Sequence, residues 1–141
     1  MSDFYKYFKE NMDALNLPAP DALFGSVTTA VSTATTILGT LEKLGRGATM
    51  GEIIGATTKL EALSVIASVA AAFYVGAVIG SIAVATGRTI SGGTSLSDVL
   101  FTAQKYNLKP DWLSHYLSAY PGIYNPSAPG RDGYKHRLAF V

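Results

Sequence analysis

Between Glu61 and Arg88 the chain runs for 26 residues without a charge, ALSVIASVAAAFYVGAVIGSIAVATG. At 1.5 Å per residue such a run makes roughly 39 Å of helix, against roughly 30 Å of hydrocarbon in a bilayer. Inside it Ser64, Ser68, Ala72, Gly76 and Gly80 recur at every fourth position. That spacing gathers the small residues on one helix face, where a second backbone can approach closely. The pattern predicts one long apolar helix over residues 61–90. A soluble bundle also accepts Ala and Gly where helices cross tightly. Two features weigh against that as the whole account: the uncharged length, and Gly76 and Gly80 in mid-helix, each about 1 kcal/mol worse than Ala in water.

The remaining composition narrows the choice. The 141 residues suit a single domain, 1–141, and only 15% of them are charged, against about 25% in ordinary soluble proteins. The deficit is concentrated: residues 22–41 carry no charge either. A net charge of +1 gives a nucleic-acid partner no electrostatic support. The absence of cysteine excludes disulfides, thiolate metal sites and cysteine nucleophiles. The opening MSDFYKYFKENMDAL mixes both signs of charge and has no apolar h-region. The expectation is therefore a protein made in the cytoplasm of its producer and exported, if at all, without a signal peptide.

Along the chain the periodicity is helical throughout, with no sustained strand alternation, so the expected class is all-α. Phe4, Phe8, Met12 and Leu15 lie on one face of an amphipathic helix over 3–16, capped by Ser2 or Asp3. Leu17-Pro-Ala-Pro20 then breaks it, so residues 1–20 read as helix plus proline linker. Asp21 caps a second helix running to Leu44, with Gly45 just past its end. Ser26, Thr28, Thr29, Ser32, Thr33, Thr35, Thr36 and Thr40 crowd that helix with hydroxyls, which in a bilayer can bond carbonyls or a neighbouring helix. Thr49 with Glu52 forms a capping box for a short helix containing Gly51 and Gly55, and Thr58 with Glu61 offers another, with a break between. Residues 21–93 then form an apolar helical hairpin, stopped by Gly92-Gly93. Ser95 with Asp98 opens a fifth helix to Tyr106, and Pro110 a sixth ending at Tyr120. Residues 94–141 are thus a helical cap followed by an irregular tail rich in Pro, Gly and Tyr.

Catalytic chemistry is sparsely represented. Asp111 and His115 stand four apart, but no third ligand is spaced to complete a metal site, and an exposed polar pair is the simpler reading. His136 sits in a small basic cluster with Arg131, Lys135 and Arg137, read as solvated surface. Gly45-Arg-Gly-Ala-Thr-Met-Gly51 lacks the Lys-Ser/Thr of a phosphate loop and follows no strand. No enzyme, no cofactor and no metal is expected. Tyr74, Tyr106, Trp112, Tyr116, Tyr120, Tyr124 and Tyr134 are read as packing residues rather than a membrane-surface belt.

Thr49 to Arg88, with Gly51-xxx-Gly55 and Ala72-xxx-Gly76-xxx-Gly80, resembles the glycine-zipper effectors that Gram-negative bacteria deliver by type VI secretion. The resemblance implies an antibacterial toxin carried by a secretion-tube subunit or chaperone and inserted into the inner membrane of a target cell. It also implies small ion-conducting pores that dissipate membrane potential, and neutralisation by a cognate membrane immunity protein. The expected arrangement is a hairpin of residues 22–44 and 61–90, hinged through 45–60, whose long helix packs through Ser64, Ser68, Ala72, Gly76 and Gly80 to give an oligomer or a tight hairpin, with Thr29, Ser32, Thr33, Thr36 and Thr40 as candidate pore lining. Replacing Gly76 and Gly80 by Ile is expected to abolish leakage while largely sparing the soluble fold. Two other readings stand beside it: a soluble all-α interaction or structural module, and a resident holin-like membrane protein.

Overall fold

A computed structural model of the chain describes residues 3–45, 47–88, 95–108 and 110–124. Among these residues the regular structure is entirely helical: α1 (Asp3–Ala14), α2 (Asp21–Phe24), α3 (Val27–Leu44), α4 (Met50–Ala56), a 3-10 segment (Thr58–Ile66), α5 (Ala71–Arg88), α6 (Leu96–Lys105), α7 (Leu113–Ala119) and a 3-10 turn (Pro121–Ile123). The all-α expectation holds.

The first helix is as the spacing implies: Phe4, Phe8, Met12 and Leu15 are buried, and Lys6, Lys9, Glu10 and Asp13 face water. It ends before the prolines. Asn16 takes a left-handed conformation (φ 62°) and the Leu17 N–H bonds back to the Met12 carbonyl at 3.0 Å. Asn107 (φ 59°) closes α6 in the same way, with Leu108 N–H on the Ala103 carbonyl at 2.7 Å. In both cases the following leucine tucks into the core, the hydrophobic contact that accompanies this kind of helix stop.

The second helix does not run unbroken from Asp21 to Leu44. Ser26 is extended (φ −144°, ψ 165°) and its hydroxyl accepts from the Thr29 N–H, capping a new helix. Gly25 permits the join, since a Cβ there would stand 2.7 Å from the Asp21 carbonyl oxygen. At the far end Gly45 (φ 101°) terminates α3 as expected. Both the Thr49–Glu52 and the Ser95–Asp98 capping boxes form. The sixth helix begins at Leu113 rather than Pro110, whose carbonyl accepts from the Leu113 N–H in the preceding turn.

The largest departure concerns residues 61–90, which do not form one helix. Residues 58–66 are 3-10 with a kink at Leu60 (φ −113°, ψ 19°), residues 67–70 form a turn, and α5 starts only at Ala71. At 18 residues α5 is about 27 Å long. Among the described residues no helix is long and apolar enough to cross a membrane. The Gly92-Gly93 stop, the Ser2 cap and the tail from residue 125 onwards, with Tyr134 and the Arg131–Arg137 cluster, lie outside the described residues.

The core is built around α5. Every residue from Ala71 to Ala85 is buried, so the helix is enclosed on all sides. It packs most extensively against α1 and then α3, with α6, α7, α4 and the 3-10 turn at Pro121–Ile123 completing the wrap. Phe8 stacks on Phe24 (ring centroids 4.9 Å apart), and Phe24 meets Tyr74 edge-on at 6.4 Å, joining α1, α2 and α5. The C-terminal aromatics pack as expected: Trp112, Tyr116 and Tyr120 form a continuous row against the core, and Tyr120 meets Phe73.

Candidate functional site

The small residues singled out in the sequence divide into three groups. Ala72, Gly76 and Gly80 share α5 and are buried. Ser64 lies in the 3-10 segment, exposed, its hydroxyl on the Glu61 carbonyl at 2.7 Å, and Ser68 is exposed in the turn that follows. Gly51 and Gly55 belong to α4. The five-residue ladder is therefore not a single face in this fold.

Gly76 and Gly80 face the C-terminal cap. A Cβ on Gly76 would lie 3.7 Å from Tyr116 Cδ1, an ordinary contact. A Cβ on Gly80 would run into the Ile123 Cγ2, so glycine there lets the 3-10 turn settle directly on the helix backbone. The expectation that Ile at both positions spares the soluble fold is corrected at Gly80: the space belongs to Ile123.

Beside Gly80 sits a buried polar junction that periodicity alone did not single out. Asn11 Nδ2 donates to Ser81 Oγ and to the Ile123 carbonyl, both at 2.8 Å. Asn11 falls seven residues after Phe4, on the apolar stripe of α1, which is the signal by which a buried amide could have been noticed. The junction ties α1, α5 and the C-terminal turn together in a low-dielectric setting where unmet polar groups are costly.

The hydroxyl-rich α3 turns one apolar stripe (Ala30, Ala34, Ile37, Leu41) inward. Thr29, Ser32, Thr33 and Thr36 line one cleft of about 350 Å³ with Leu23, Thr28 and Leu60, while Thr40 lies outside it. Most of these hydroxyls are already bonded. Thr33 donates to the Leu23 carbonyl at 2.8 Å, Thr36 to the Ser32 carbonyl at 3.1 Å, Thr40 to the Thr36 carbonyl at 2.9 Å, and Thr29 pairs with Ser26 at 2.9 Å. Internal bonding of this kind is what lets threonine sit in a helix without water.

Titratable groups are few near these features. Burial, with Tyr120 nearby, pushes the Tyr116 phenol above its usual range. Asp111 lines a groove of about 700 Å³ with Glu42, Asn107 and Trp112, and His115 is exposed outside it. Among the described residues no three His, Asp or Glu side chains converge as a metal site would need.

The chain matches no protein-family model, no curated protein and no solved structure.

Proposed function

We propose that the protein is an antibacterial pore-forming toxin that travels folded, with its apolar helix sheathed, and releases that helix into the inner membrane of a target cell. One observation carries the reading: fifteen consecutive residues, Ala71 to Ala85, are buried on every side by helices that turn their charged faces outward. A helix apolar all round is stable either in a core or in lipid. The wrap supplies the first environment and its loss would favour the second. α3 then follows α5 as the second arm of a hairpin, with Thr35, Thr36 and Thr40 already bonded to carbonyls of the same helix and its outer face offering hydroxyls to a wet path. Self-association of the exposed α5 face, carriage by a secretion-tube subunit or chaperone, and a membrane immunity protein belong to the same proposal.

The test is dye and ion release from vesicles of phosphatidylethanolamine and phosphatidylglycerol by the purified protein. Release, reduced in a Gly76→Ile variant that still melts cooperatively, supports the reading. Vesicles that bind no protein and stay sealed overturn it and leave a soluble helical module, in which, among the described residues, Leu44 and Phe101 are the exposed large apolar side chains. Fractionation separates the resident-membrane reading, since a resident protein pellets with its own host's membranes.

A further inference from the structure

Nothing in residues 67–72, Ala-Ser-Val-Ala-Ala-Ala, breaks a helix: there is no glycine or proline, and alanine is the best helix former. The break is imposed from outside the segment. The Gly51 N–H donates to the Ala67 carbonyl at 2.8 Å, the Met50 N–H to the Val69 carbonyl at 2.8 Å, and the Ala71 N–H to the Ala48 carbonyl at 3.0 Å. Thr49 and Ala70 face each other between these bonds as an antiparallel bridge. In an uninterrupted helix the Ala71 N–H would bond the Ala67 carbonyl, four residues back. Here both groups are held instead by the start of α4.

We propose that the start of α4 is a backbone clasp, and that its release lets residues 58–88 close into one helix of bilayer length. The inference rests on the pore-forming reading above. Opening the clasp frees one donor, the Ala71 N–H, and two acceptors, the Ala67 and Val69 carbonyls. In a continuous helix Ala67 accepts from Ala71 and Val69 from Phe73, so straightening leaves the apolar segment's backbone groups satisfied within it. Lipid demands that outcome, because backbone groups there must be satisfied within the segment. The 3-10 bonds of residues 58–66 lengthen by one residue each to become α-helical and the kink at Leu60 turns helical, at a place where such segments act as hinges. Residues 62–87 then make about 39 Å of apolar helix, and Ser64, Ser68, Ala72, Gly76 and Gly80 come onto one face for the first time.

A covalent lock tests this. A Cβ on Gly51 would lie 3.3 Å from the Ala67 Cβ, close to the roughly 3.5–4.5 Å of a disulfide, and the chain has no other cysteine to compete. Gly51→Cys with Ala67→Cys, oxidised and then reduced, is added to phosphatidylethanolamine–phosphatidylglycerol vesicles, with dye release and far-ultraviolet circular dichroism read together. The oxidised form is expected to release dye at least tenfold more slowly and to gain no helix. Reduction is expected to restore release and add the helical signal of residues 58–70. Ala70→Pro, which spares every clasp donor but blocks a continuous helix, is expected to behave as locked in either state. Equal helix gain in the oxidised and reduced proteins, or in Ala70→Pro and wild type, overturns the clasp. A helix gain confined to the reduced protein without dye release leaves the clasp standing and overturns the pore.

Discussion

Asn11 and Ser81, seventy residues apart in the chain, meet at 2.8 Å in the interior, and Asn11 spends its second amide hydrogen on the Ile123 carbonyl. One side chain on α1 therefore joins the central helix to the C-terminal turn. Asn11→Ala leaves the Ser81 hydroxyl and the Ile123 carbonyl without that donor, and is expected to destabilise by about 1–3 kcal/mol. The urea midpoint should fall at unchanged slope. A midpoint equal to that of the parent would mean the junction contributes nothing.

The two glycines of α5 are expected to respond in opposite directions to alanine. At Gly76 the new methyl meets Tyr116 at ordinary contact distance, so helix propensity dominates and stability should rise by up to about 1 kcal/mol. At Gly80 the methyl collides with Ile123, and an overpacking penalty of about 1–3 kcal/mol outweighs the propensity gain. Thermal melts of the two variants side by side decide it. Ile123→Ala, which opens a cavity of its own, should cost less in the Gly80→Ala background than in the parent, the sign of a shared contact in a double-mutant cycle.

Gly39 is exposed in α3, and a methyl placed on it would have nothing within 4 Å. Gly39→Ala should stabilise by up to about 1 kcal/mol through backbone entropy and propensity alone. Chemical denaturation reads this directly, and a destabilised variant would mean that α3 needs flexibility at that point.

Tyr116 links stability to alkaline pH. Burial raises its phenol above the value of about 10 that it takes in the unfolded chain. The unfolded state therefore loses its proton first, so the contribution is fully present below about pH 10 and declines as pH rises beyond it. Denaturation midpoints should fall more steeply between about pH 10 and 11 than between about pH 8 and 9. Tyr116→Phe should reduce that alkaline slope without abolishing it, because burial also raises the Tyr74 phenol. An identical slope in the variant would place the effect in other groups.

Much of the architecture could be read from the residues because local chemistry set it. The Thr49–Glu52 and Ser95–Asp98 boxes, the Gly45 stop and the stripe of Phe4, Phe8, Met12 and Leu15 are each decided within a few residues. What escaped was decided at a distance. Ala67–Ala70 has every local reason to be helical and is bent by bonds to Ala48, Met50 and Gly51. Gly76 and Gly80 gave their spacing but not their neighbours, since Tyr116 and Ile123 reach them from the far end of the chain. The Ser26 cap was legible and was hidden by the surrounding run of hydroxyls.

The enclosure of α5 also sets an order of events during translation. Gly80 is joined to the chain before Ile123 has been made, and the 43 residues from one to the other take about 2–9 seconds at roughly 5–20 residues per second. The apolar stretch therefore reaches the outside ahead of the turn that seals it, by the same lag. A chaperone or carrier that engages the chain co-translationally would find its target then, and codon-level slowing after residue 88 would lengthen the opportunity.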